Sequence, residues 1–254
     1  MNQIVTRAPP NIEAELGSLA VRYRAASHNG IEVLNLIGAQ ADNLLDRLPP
    51  KVRSGLGDAT AAALTHAMTA AHSSRQVVGD QNAWVNTAVS SVLGAAGGVG
   101  GLPTALAELP VTTTLLLRAI QGVAVEHGFD ASEENVQFDC IQVFSSAGPL
   151  AGDDGADIAF LSTRMMVTGA TLQGLIARIA PRLAIVLGQK LAAQAVPILG
   201  AVAGAATNYA YTRYYQEIAH VHFGLRKLAI DADRPLAELT AELARLMEAP
   251  LPRA

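Results

Sequence analysis

The sequence predicts an all-α fold, a compact multi-helix bundle of roughly eight to ten helices that pack through small residues. Apolar residues recur at helical spacing nearly everywhere, and no stretch alternates apolar and polar residues long enough to outweigh that period. Half of the 254 residues are apolar, 16% are charged, and the mean hydropathy is +0.28. Aromatics are only 4%, so alanine, valine and leucine must fill the interior. Small side chains do this by letting helix backbones approach closely. A single domain over residues 1–254 is expected, although a chain of this length can also form two closely packed halves.

N-terminal helices are expected over 11–76. Ile31, Leu34, Leu45 and Leu48 belong to an early helix that stops at Pro49 and Pro50, because proline lacks an amide N–H and restricts the residue before it. The next helix runs through Ala59 to Ala71, and another spans Asn82 to Leu93 before the glycine-rich segment Gly94–Gly101. Pro110 suits the first position of a helix carrying Leu116, Ile120 and Val123, and Gly128 suits its left-handed stop. Asp130 and Glu133 suggest a capping box for the helix bearing Cys140 and Phe144. After a break at Gly148–Pro149, Asp153, Asp154 and Asp157 precede a helix through Arg164 and Met165, where negative charge favours the helix start. From Pro181 to Ile230 only Pro197 interrupts the pattern, as a kink or a division. A short amphipathic helix over 233–248 follows, through Leu239, Leu243 and Leu246.

Several functions are disfavoured. A net charge of −4 and a pI of 5.8 give no general attraction for nucleic acid. The lone Cys140 excludes an internal disulfide framework and fits a reducing compartment. Met1–Leu16 lacks the apolar run of a signal peptide, so a cytoplasmic location is expected. The oily window Leu191–Thr207 falls short of the roughly twenty residues that cross a bilayer, and a buried core helix is favoured over a membrane-inserting hairpin. Gly94–Gly101 lacks the lysine and spacing of a phosphate loop. Neither GxSxG nor HExxH is present, and His220 and His222, two apart, point to different faces of a helix. Helix capping accounts for the three aspartates at 153–157 better than a cation does. No metal and no cofactor is expected.

The polar residues that remain sit in oily surroundings. Thr114, Arg118 and Gln121 share one strip of a helix, and Gln189, Lys190 and Gln194 form a second. A solvent-facing strip is the favoured reading, with a partly polar internal cavity as the alternative. Gly200, Gly204 and Asn208 make a groove in which another helix can come close and the amide can bond across. Four of the five tyrosines follow within a few residues, and Tyr211, Tyr215, Ile218, His222 and Leu225 form one stripe. Tyrosine, apolar with a polar tip, suits a core edge, a ligand pocket or a membrane interface.

The run GAVAGAATNYAYTRYYQEIAHVHFGLRKL, with Gly200, Gly204, Asn208, Tyr209, His222, Phe223 and Arg226, resembles a signature of the EcsC family. GGLPTALAELPVTTTLLLRAIQGVAVEHGFD resembles a second, with Pro110, Arg118 and Gly128, and DIAFLSTRMM a third, with Phe160 and Arg164; Lys190 and Pro197 also fit. The likeness covers residues 83–228. It implies a bacterial-type protein related to one encoded beside the components of an ABC transporter, and it brings no catalytic residues with it. The candidate ligand-binding residues are Arg118, Arg164, Lys190, Asn208, Tyr211, Tyr215, His222 and Arg226. The expected role is binding of a lipid or acyl chain between helices, in the cytoplasm or at the inner face of the plasma membrane, with a membrane-transporter component as a further candidate partner. The alternatives are a lipid-directed hydrolase or transferase using His222 with Tyr215, and an interaction scaffold.

Overall fold

The computed structural model describes residues 10–37, 45–77, 87–93, 95, 102–145, 172–194 and 200–248. Within them lie seven α-helices: α1 (Ile12–Ile37), α2 (Pro50–Val77), α3 (Leu102–Glu126), α4 (Glu134–Phe144), α5 (Leu172–Gln194), α6 (Gly200–Asp231) and α7 (Leu236–Glu248). A 3-10 turn at Leu45–Arg47 precedes α2, residues 87–93 are also helical, and the described residues contain no strand. The all-α fold is the one the apolar periodicity predicts.

Two helices organise the bundle. α6 lies against α1, α3, α4, α5 and α7, and α3 lies against α2, α4, α5 and α6. The predicted α6 stripe of Tyr211, Tyr215, Ile218, His222 and Leu225 is buried throughout. On α3, Leu116, Leu117, Ile120 and Ala124 are wholly enclosed. Alanine supplies much of the close packing: Ala67, Ala119, Ala124, Ala192 and Ala219 are all in the core. Gly204 is buried. Close glycine contacts also fall at two positions outside the predicted groove. A Cβ on Gly224 of α6 would lie 2.9 Å from Leu19 Cδ2 of α1, and one on Gly188 of α5 would lie 2.7 Å from Leu45 Cδ2 and 2.9 Å from Leu56 Cδ1.

Helix ends follow local chemistry, with two departures from expectation. Gly128 is left-handed at φ +86, Gly128 N–H donates to Val125 O at 2.8 Å and Phe129 N–H to Ala124 O at 3.0 Å, so the predicted glycine stop of α3 is a Schellman turn. Asp233, at φ 50, ends α6 with the same pair of bonds. Pro110, however, lies inside α3 instead of opening it. Its ring frees a carbonyl one turn back, but Pro110 is exposed, so water can reach that side, and its own carbonyl accepts a 2.8 Å bond from Thr114 Oγ1. The expected capping box is also absent. Asp130 accepts bonds from Ser132 N at 2.8 Å and Ser132 Oγ at 2.7 Å, closing its own turn, and Glu133 stands at the cap of α4 with no side-chain bond. Of the early helix predicted through Ile31, Leu34, Leu45 and Leu48, the first two lie in α1, Leu45 opens the 3-10 turn and Leu48 follows it; residues 38–44 lie outside the described residues.

Pro197 and the aspartates at 153, 154 and 157 lie outside the described residues. The window Leu191–Thr207 is shared between the end of α5 and the start of α6. No described helix is long and apolar enough to cross a membrane.

Candidate ligand-binding site

Three members of the polar strips of α3 and α5, Arg118, Gln121 and Lys190, turn inward, contrary to the solvent-facing expectation; Thr114 and Gln189 are half-buried, and the side chain of Gln194 lies outside the described residues. Gln121 and Lys190 are fully enclosed and Arg118 is 8% exposed. A strip can face water only where its helix has an uncovered side, and the middle of α3 is surrounded by α2, α4, α5 and α6. Gln121 is the most telling of these groups. Neither its Oε1 nor its Nε2 has a hydrogen-bond partner. The buried hydroxyls of Thr113 on α3 and of Thr207 and Thr212 on α6 have none either. A buried polar group left in this way costs about 1–3 kcal/mol.

α6 brings most of the remaining candidates together. Tyr211 donates its hydroxyl to Val186 O of α5 at 3.1 Å, one turn before Lys190. Burial, and then the neighbouring Tyr215, raise the Tyr211 phenol well above its usual range, so it remains a donor. Tyr215 meets Phe144 edge-on with ring centres 5.0 Å apart, and Tyr214 at 5.3 Å. These tyrosines are interior groups, not an edge; only Tyr209 of the cluster is exposed. Asn208 bonds across the groove as expected, donating Nδ2 to Ser90 O at 2.7 Å.

His222 and Arg226 converge on a residue the sequence reading missed. Asp139 of α4 is 1% exposed; Arg226 Nη1 donates to its Oδ2, and His222 Nε2 lies 3.5 Å from its Oδ1. Phe129 covers the guanidinium, with Arg226 Cζ 4.4 Å from the ring centre. The signal was available: an oily helix through Val136, Cys140, Ile141 and Phe144 carries one acid on its inner face, and a carboxylate buried there needs a counter-charge. His220 points elsewhere, as the two-residue spacing requires. Its Nδ1 lies 3.0 Å from His127 Nε2.

Arg118 and Lys190 thus belong to the helices that enclose α6, Asn208, Tyr211 and Tyr215 to one buried length of α6, and His222 with Arg226 to the Asp139 pair. Arg164 lies outside the described residues. The described surface includes a cleft of about 580 Å³ between α1, the end of α3 and α6, and one of about 460 Å³ between α1 and α7. None of the eight candidates lines either cleft. Among the described residues no group of three histidines, cysteines or acids is placed to hold a metal.

A model of the EcsC protein family matches residues 39–228. The match reaches further toward the N-terminus than the motifs at 83–228, taking in α2. No curated protein and no solved structure matches the chain.

Proposed function

The chain belongs to the EcsC protein family, and on that footing we propose that it binds a lipid or other amphipathic molecule between α3, α5 and α6, and works at the cytoplasmic face of a membrane. The observation that carries this reading is the fully buried, unpartnered amide of Gln121. An apolar interior that holds such an amide, three unpartnered threonine hydroxyls and the enclosed Arg118 and Lys190 has the composition of a ligand site: apolar walls with a few polar anchors. A ligand head with both donors and acceptors would satisfy Gln121, which otherwise lowers stability for no return. Native mass spectrometry of the purified protein, followed by lipid extraction, tests it without a guess at the ligand. A discrete added mass matched by a lipid in the extract is expected. A homogeneous ligand-free mass, an empty extract and no binding to liposomes would leave an interaction scaffold, with a transporter component as its candidate partner.

One observation favours the enzymatic alternative. His222 stands beside a buried carboxylate, as a general base often does. Here the carboxylate also binds Arg226, and His222 is only 4% exposed, which suits a packed structural pair better. Lipid-ester turnover lost in a folded His222→Ala variant would reverse that preference.

A further inference from the structure

The larger cleft, between α1, the end of α3 and α6, gathers donors from three directions. Arg22 enters from α1, His127 from the turn after α3, and His220 and Lys227 from α6. Gly224, packed on Leu19, lets α1 and α6 approach closely beneath it. The two imidazoles meet through His127 Nε2 and His220 Nδ1 at 3.0 Å. A neutral pair owns two N–H groups and spends one on this contact, so its outward atoms, His127 Nδ1 and His220 Nε2, are one donor and one acceptor. One added proton makes both outward atoms donors. That is the pattern an all-acceptor anion requires.

The charges around the pair are mixed, three cations and four carboxylates among the described residues, so an anion depends on the donors that the cations have to spare. From α1 come Glu15 and Arg22, from the end of α3 Glu126, and from α6 Arg213, Glu217, Lys227 and Asp231. Two of the carboxylates are already held, Glu217 by Arg22 at 2.6 Å and Asp231 by Lys227 at 3.1 Å, and Glu126 stays 3.8 Å from His220 Nε2. A guanidinium has five N–H donors and an ammonium three, so each cation keeps donors to spare. Burial comes first in holding both histidines neutral; Arg22 and Lys227 add to it at His127, and Arg22, Arg213 and any proton on His127 add to it at His220. The cations that oppose protonation of the empty pair, Arg22, Arg213 and Lys227, attract an anion, which then lifts the opposition.

We propose that this cleft binds a tetrahedral dianion of the phosphate class, held by Arg22 and Lys227, and that the His127–His220 pair takes up one proton from solvent as the anion enters. A metal ion is the natural rival for paired histidines, but among the described residues no third histidine, cysteine or acid is placed to complete a metal site with them.

Isothermal titration of the intact protein with sulfate, which does not titrate in this range, isolates the protein's own proton. Buffers of different ionisation heat measure the uptake. Uptake approaching one proton is expected, with affinity rising by about tenfold from pH 7 to pH 5.5. Lys227→Gln should weaken binding, and His220→Gln should remove its pH dependence. Glu15→Gln, a change at an exposed position, should bind sulfate as well or better and serves if the histidine variant fails to fold. Loss of binding in Glu15→Gln, sulfate binding without proton uptake, or no binding of sulfate and inorganic phosphate would overturn the proposal. Vesicles of phosphatidate and of phosphatidylcholine then distinguish the sources of the anion. Capture by phosphatidate alone, competed by sulfate, indicates a lipid headgroup, and inert vesicles with binding of inorganic phosphate indicate a free phosphate compound.

Discussion

Asp139 is the residue on which the α4–α6 contact turns. Removing the buried carboxylate leaves the part-buried Arg226 without its counter-charge, so Asp139→Ala should destabilise in chemical denaturation by up to about 3–5 kcal/mol. The exposed pair Arg53–Asp46, at 2.8 Å, gives the contrast: Asp46→Ala should change stability by less than about 1 kcal/mol. His220 makes a second residue-scale prediction. Burial, with Arg22, His127 and Arg213, lowers it from 6.5 to about 4. The unfolded chain therefore binds this proton first as pH falls, and stability should decline between pH 6.5 and 4, by at most about 1.4 kcal/mol per pH unit from this group. Denaturation midpoints of wild type and His220→Gln across that window check the sign. A wild type that gains stability relative to the variant on acidification would contradict it.

At the scale of elements, the contact between α1 and α6 depends on Gly224. An added methyl crowds only the end of a flexible leucine and sits in ordinary contact with His127 Cε1 at 3.5 Å, so Gly224→Ala should be mild, whereas Gly224→Leu overpacks the crossing and should cost about 1–3 kcal/mol by thermal melting. An unchanged melt for the leucine variant would mean the helices are not in this contact. Helix identity was legible in the sequence because apolar spacing and glycine stops act locally: Gly128 ends α3 as expected. Helix starts were less legible. Pro110 is compatible with both a first turn and an exposed helix interior, and Asp130 had a nearer partner in Ser132 than the α4 amides. Gly188 and Gly224 could not be recognised as contact points because their neighbours, Leu45, Leu56 and Leu19, are remote in sequence.

For the whole molecule, the difference between sequence and structure lies in which polar residues are inside. Periodicity marks Arg118, Gln121 and Lys190 as strips but cannot tell a strip facing water from one enclosed by four other helices, since that depends on how the bundle closes. The stripe from Tyr211 to Leu225 was readable because most of it is apolar, and the Asp139 pair was not because its members come from distant helices. The claim that the interior between α3, α5 and α6 takes an amphipathic ligand is tested most directly at Gln121, by comparing the melting of delipidated wild type and Gln121→Leu with and without a lipid recovered from the purified protein. The account predicts that Gln121→Leu, which replaces an unpartnered amide with an apolar group of similar size, melts at the same or a higher temperature without lipid and loses the lipid-induced rise. A variant that melts clearly lower without lipid, or that keeps the full lipid-induced rise, would contradict it.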